Sequence, residues 1–207
     1  MQHRNRFSSF SITPPAQTGF SLIELMVVVV VIGILAAVLL NKFAGSTVPT
    51  KATGLVTTMQ LTAGALDRYK AELGCYPNRF DALWDRTKAN AADNFCGIDH
   101  RPGWMSEAMK PQPVNADAPN NLMLLDDVQQ GVTLAIARQN GGMGRQWLLT
   151  AANVPNDIAR LAVAKCNATD PNNANPVTFI GNNNIKCIGV ANGAELTNVT
   201  LKFAETR

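Results

Sequence analysis

Residues 18–40 read TGFSLIELMVVVVVIGILAAVLL, and their reading decides the architecture. From Phe20 to Leu40 there are 21 residues with one charge, the carboxylate of Glu24. Such a helix rises about 31 Å, which matches a hydrocarbon core of roughly 30 Å. A carboxylate deep in a bilayer costs roughly 2.5–3.5 kcal/mol or more, so an intramembrane acid usually has a partner. The bland alternative is a glutamate near a helix end that snorkels to the headgroups.

The flanks constrain the segment further. A secretory signal peptide has a shorter apolar core closed by a small-x-small cleavage site. Here no Ala-x-Ala follows the run, which ends at Asn41-Lys42-Phe43. The segment therefore reads as retained. The residues before Phe20 contain Arg4 and Arg6 and no acid, which fits a cytoplasmic leader under the positive-inside rule. The net charge is +3, and from Phe20 onward basic and acidic residues nearly balance. A strongly basic nucleic-acid footprint and a polybasic tail are both absent.

The junction TG-FSLIE followed by about twenty apolar residues resembles the leader of type IV prepilins and of the related type II secretion pseudopilins. The resemblance covers Thr18 to about Leu40, and beyond that it is architectural. It implies cleavage after Gly19 by a prepilin peptidase, methylation of the new N-terminus at Phe20, and an assembly role for Glu24. Cleavage would free an amino group one helical turn from that carboxylate. In an assembled bundle a neighbouring subunit offers the amine, and a charge-assisted pair in a dry core also fixes axial register.

Past the apolar run, Gly45 to Pro49 (GSTVP) predicts a bend or local melting of the helix. Leu55, Met59, Thr62, Leu66, Tyr69 and Leu73 then recur at alternating steps of four and three, one face of an amphipathic helix. Gly74 is its expected stop. Residues 75–121 read as a long irregular loop with a short helix near Asp81 to Asp85. Strand signals follow in LMLL, GVTLAIAR and RQWLLTA, the last two joined by the turn NGGMG. VPNDIARLAVAKC predicts a short helix capped near Asn156 or Asp157, with Ile158, Leu161 and Ala162 inward. PVTFI and IKCIGV predict a further hairpin, and NVTLKF a last strand.

The fold class is therefore α+β, one long N-terminal helix on an antiparallel sheet, which is the type IV pilin plan. The expected divisions are a leader at 1–19, a membrane and filament-core helix at 20–42, its amphipathic continuation at 43–74, and a globular domain at 75–207.

Four cysteines at wide spacing form no Cys-x-x-Cys pair, and by count alone three pairings are open. Cys75 and Cys96 lie at the start and middle of the long loop, where a bridge is a fitting staple. Type IV pilins commonly close a C-terminal loop region with a disulfide, and Cys166–Cys187 matches that habit. A closed loop of about twenty residues is worth about 3 kcal/mol in the chain-entropy account.

Nothing in the sequence builds an enzyme, a cofactor site or a metal site. His100 is the only histidine after Gly19 and reads as a loop residue. Asp126-Asp127 and DNFCGID are acidic enough for calcium but fit no EF-hand spacing. Arg138, Arg145, Arg160 and Lys165 would make at most a modest DNA-binding patch, and Trp84, Trp104 and Trp147 read as packing residues. The resulting expectation is a homopolymerising filament subunit, single-pass in the inner membrane before assembly and extracellular afterwards. The resemblance implies a prepilin peptidase, an assembly platform and an ATPase as partners. The leader length and Asn-rich C-terminal part lean to type IVb pilins, whereas an aromatic Phe20 is the habit of type IVa pilins and pseudopilins. A minor pilin or pseudopilin is the rival within the family, and a non-polymerising membrane-anchored periplasmic binding domain is the rival outside it. DNA or a host surface is a compatible but unspecified target.

Overall fold

The computed structural model describes residues 21–115, 122–141, 144–173, 175–179 and 185–206, with side chains 36–46, 141 and 206 outside that description. The chain forms two units, Met1–Gly45 and Ser46–Arg207. One helix, α1 (Leu22–Leu73), contributes to both.

In the first unit α1 begins where the Ser21 carbonyl accepts from the Glu24 and Leu25 amides at 3.0 and 3.2 Å. Every described side chain from Ser21 to Leu35 is exposed, apolar on all sides of the helix except at Glu24 and the two small residues Ser21 and Gly33. A helix apolar all round belongs in a core or a membrane, not in water. Among the described residues no helix is long and apolar enough to cross a membrane. The span expected over 20–40 runs into side chains outside the description.

In the second unit the local melting expected at Gly45–Pro49 is corrected: α1 continues through Pro49. Proline removes one intrahelical donor. The Thr53 hydroxyl donates to the Pro49 carbonyl at 2.9 Å, tying the turn after the proline. From Ala52 onward the helix is amphipathic. Leu55, Met59, Thr62, Leu66 and Tyr69 are all at most 2% exposed, and Leu73 is half-buried. Ala52, Val56, Ala63 and Ala65 widen the same buried face. The helix ends at Gly74, whose φ of +80° places it in the left-handed region and whose amide donates to the Lys70 carbonyl at 2.7 Å.

That face packs on a six-stranded sheet, β1 (Val114–Asn115), β2 (Leu122–Leu124), β3 (Thr133–Gly141), β4 (Gly144–Pro155), β5 (Cys187–Ala191) and β6 (Leu196–Thr206). The spatial order is β1-β2-β3-β4-β6-β5, antiparallel throughout. Register aligns one apolar face across the strands. Leu134 lies opposite Ala151 and Ile136 opposite Leu149, while Ala151 and Leu149 lie opposite Val199 and Leu201. All of these are buried in one core with α1. Register shifts interrupt the β4–β6 pairing between Trp147 and Leu148 and between Ala151 and Val154, and Asn153 there adopts φ 61°.

Helix α2 (Asn156–Asn167) leaves β4 directly and buries Ile158, Ala159, Ala162, Val163 and Ala164 against the sheet. Its expected cap is corrected. Pro155 occupies the N-cap with no side-chain bond. Asn156 instead donates to the Ala194 carbonyl at 3.0 Å and accepts from Thr197 at 2.7 Å, tying α2 to the β5–β6 turn. Leu161 packs against the core from its edge and is half-buried. A second correction concerns PVTFI. Residues 176–179 form no strand, and β5 pairs with β6 across residues 192–195 instead. The stretch read as a long loop with a short helix near Asp81 carries a 3-10 turn at Asp81–Leu83, where that helix was expected, then further single 3-10 turns, and it yields edge strand β1. The NGGMG turn is consistent with the pairing of Gly141 with Gly144, but residues 142–143 lie outside the description.

Leu66 is 0% exposed at the centre of this helix–sheet interface. Leu66→Ala is expected to destabilise the second unit by about 2–5 kcal/mol, measured by urea denaturation followed through tryptophan fluorescence. A loss below about 1 kcal/mol would mean that the helix face is not the core.

Candidate functional site

Gly19 and Phe20, the expected processing residues, lie outside the described residues. Glu24 lies in the first turn of α1 and is exposed. An acid there meets the positive end of the helix dipole, which favours a helix beginning at this point. Among the described residues no cation pairs with the Glu24 carboxylate. The surface that follows is Leu22, at 78% exposure, through Leu35, at 56%. A single carboxylate thus heads an uncovered apolar rod.

In the second unit the long loop after α1 is held by covalent and polar ties. Cys75 bridges Cys96, and Cys166 bridges Cys187, with Cα–Cα distances of 6.3 and 5.9 Å. Inside the first bridge Arg79 donates to both Asp81 oxygens and to Asp93 at 2.9 Å. These hydrogen bonds, to Asp81 above all, push the guanidinium further above its ordinary range, against the opposing effect of burial. Asn94 donates to the Asn90 and Ile98 carbonyls at 2.7 and 2.6 Å and accepts from the Cys96 amide at 2.9 Å. Across the second bridge Asn167 accepts from the Lys186 and Cys187 amides at 2.9 Å each and donates to the Cys187 carbonyl at 2.7 Å. These side chains stand in for the ladder bonds that irregular backbone lacks.

Three comparisons bear on this geometry. A family model described as the prokaryotic N-terminal methylation motif matches residues 14–40. The type II secretion system core protein G of Pseudomonas aeruginosa is 42% identical over 67 residues, 32% of this chain and 47% of that protein. The protein of the same name from Klebsiella pneumoniae is 32% identical over 77 residues, 37% of this chain and 55% of that one. That from Vibrio cholerae is 41% identical over 67 residues, 32% and 46%. The chain carries a prokaryotic N-terminal methylation motif and is similar over about a third of its length to type II secretion core proteins. It spans about half the length of the curated relatives it matches. No solved structure matches it.

Among the described residues the other candidate residues do not gather into a site. Arg138 and Arg145 lie toward one end of the β3–β4 hairpin, whereas Arg160 and Lys165 lie on α2, which leaves the opposite end of β4. Arg138 donates to the Phe95 carbonyl at 3.2 Å and sits over its ring. Arg160 donates to the Pro171 carbonyl at 3.1 Å. Asp93 is engaged by Arg79, and Asp99 by Arg101, which holds its carboxyl down at about 2. Among the described residues no group of acids, cysteines and histidines gathers as metal ligands. His100 lies in a loop, as read, and is buried there, its backbone amide bonded to the Ala89 carbonyl at 2.8 Å. Trp147 is buried among Tyr76 and Phe95, and Trp104 meets Tyr69 edge-on. The sequence reading missed the bracing roles of Arg79, Asn94 and Asn167. The only signal was their position beside or between cysteines.

Burial, and then the charge of Asp93, push the Tyr69 hydroxyl up to about 12 from 10.0. Burial, and then a 2.6 Å bond to Asp67, raise Tyr76 as well. The unfolded chain releases these protons near pH 10.0 and the folded one does not, so stability is full below that pH and falls above it. Alkaline titration should show tyrosinate absorbance rising together with loss of tryptophan fluorescence, in one unfolding step well above pH 10.0. A tyrosine ionising near its ordinary value in the folded chain would contradict the burial.

Proposed function

We propose that this chain is a structural subunit of a type IV pilus-like filament, working by polymerisation. The observation that carries the reading is the methylation motif over residues 14–40 coinciding with an uncovered apolar helix headed by Glu24. In this reading a prepilin peptidase cuts after Gly19 and methylates Phe20. The helix rests in the inner membrane as a single span until an assembly platform and its ATPase lift the subunit into a bundle. There the apolar side chains exchange lipid for one another, and each Glu24 meets the Phe20 ammonium of a neighbour. The folded unit lies in the periplasm and then outside the cell. The two disulfides fit an oxidising compartment.

A second reading is favoured by a specific observation. The relatives from three organisms all carry the name type II secretion system core protein G. On that reading the filament is short and serves secretion, and the chain is a pseudopilin. Abundance separates the two: a major pilus subunit dominates sheared surface filaments, and a pseudopilin is nearly absent from them.

Mass spectrometry of the protein recovered from cells is expected to find N-methylated Phe20 as the first residue. A chain still carrying residues 1–19 overturns the processing step. Glu24→Ala is expected to be inserted and cleaved normally but to be lost from filaments, scored by immunoblot of the assembled fraction. Normal incorporation of that variant would remove Glu24 from the assembly role.

A further inference from the structure

The second unit holds a cavity of about 240 Å³ between α1, α2 and the segment after α2. Pro49, Ala52, Leu161 and Ala164 make its walls apolar, and Lys165 brings a cation to it. The Lys165 ammonium donates to the Thr53 hydroxyl at 2.8 Å, and that hydroxyl in turn donates to the Pro49 carbonyl at 2.9 Å. The ammonium is therefore held at the cavity while two of its three donors remain for another acceptor. Among the described residues no carboxylate pairs with it. Asp170, the acid nearest in sequence, accepts instead from the Asn172 amide at 2.8 Å.

Apolar walls beside an unneutralised cation define the ligand. A free inorganic anion has no use for the walls, and a neutral apolar molecule leaves the charge unmatched. An anionic amphiphile satisfies both. The volume is below that of sites for drug-sized ligands, roughly 300–1,000 Å³, so the cavity holds part of such a molecule. Pro49 follows Lys42 by seven positions, a reach of at most about 25 Å even if fully extended. A chain anchored by residues 20–42 therefore keeps this cavity within reach of the headgroup layer.

The geometry points to an anionic phospholipid as the occupant, with its phosphate on Lys165 and its glycerol and first acyl carbons against Pro49, Ala52, Leu161 and Ala164. The inference rests on the membrane-anchored reading above. Its consequence is a second hold on the leaflet, independent of the apolar helix, for a subunit not yet assembled.

The test uses the full mature chain in nanodiscs containing phosphatidylglycerol with a photoreactive group near its glycerol. Peptides are mapped after illumination. Labelling is expected on 20–42 and also on 49–53 and 161–171. Lys165→Glu is expected to lower the second labelling about fivefold or more, and Lys165→Arg to retain it. Lys165 is exposed, so neither variant threatens the fold, and matched circular dichroism melting checks this. Label on 20–42 alone overturns the lipid seat while sparing the membrane reading. Absence of label at all positions overturns both. Loss of the cavity label on adding inorganic phosphate alone, or its persistence in Lys165→Glu, overturns the phospholipid assignment.

Discussion

A helix whose described side chains from Leu22 to Leu35 are apolar and uncovered, apart from one acid in its first turn, sets the terms for everything else in this chain. Removing a valine, leucine or isoleucine from water contributes about 1.5–3 kcal/mol each. A run of such residues therefore strongly favours a covered state, and lipid and copies of the same helix are both apolar enough to cover it. In the filament we propose, a bundle of processed subunits would offer Glu24 an ammonium that lipid does not, so that this one carboxylate would bias where the apolar part of α1 resides.

The second unit has a hydrophobic core of its own. Its core joins the buried face of α1 to one face of the sheet, with α2 packed alongside. The longest irregular segment is held by Cys75–Cys96 and by Arg79 between Asp81 and Asp93. The segment after α2 is held by Cys166–Cys187 and the Asn167 amide. Covalent closure limits the unfolded chain, and the side-chain bonds satisfy backbone groups that would otherwise be costly to bury.

The large features were legible in the sequence because they rest on periodicity. The apolar run, the face from Leu55 to Tyr69, the stop at Gly74 and the strands around Leu134 and Leu149 each repeat a simple spacing, and the α+β architecture follows from them. The departures have tertiary causes. Asn156 looks like a cap, but its amide is drawn to Ala194 and Thr197 on a neighbouring turn. Val177 to Phe179 have strand composition, yet β5 pairs with β6 across a nearer turn. Pro49 is tolerated within α1, where the Thr53 hydroxyl reinforces the following turn. Glu24 stands out in the sequence by its isolation among apolar neighbours, and the structure places it in the first turn of α1, while the bracing roles of Arg79, Asn94 and Asn167 depend on partners that only folding brings near.

The central claim is that the Glu24 carboxylate of one subunit is neutralised by the Phe20 ammonium of another. Solid-state NMR on filaments mixed from two subunit pools, one with nitrogen-15 at Phe20 and the other with carbon-13 in the Glu24 carboxylate, measures that pairing directly. The account predicts magnetisation transfer between the pools at ion-pair distance and an ionised carboxylate. Filaments that form normally with no transfer between pools, and with Glu24 protonated, would contradict it.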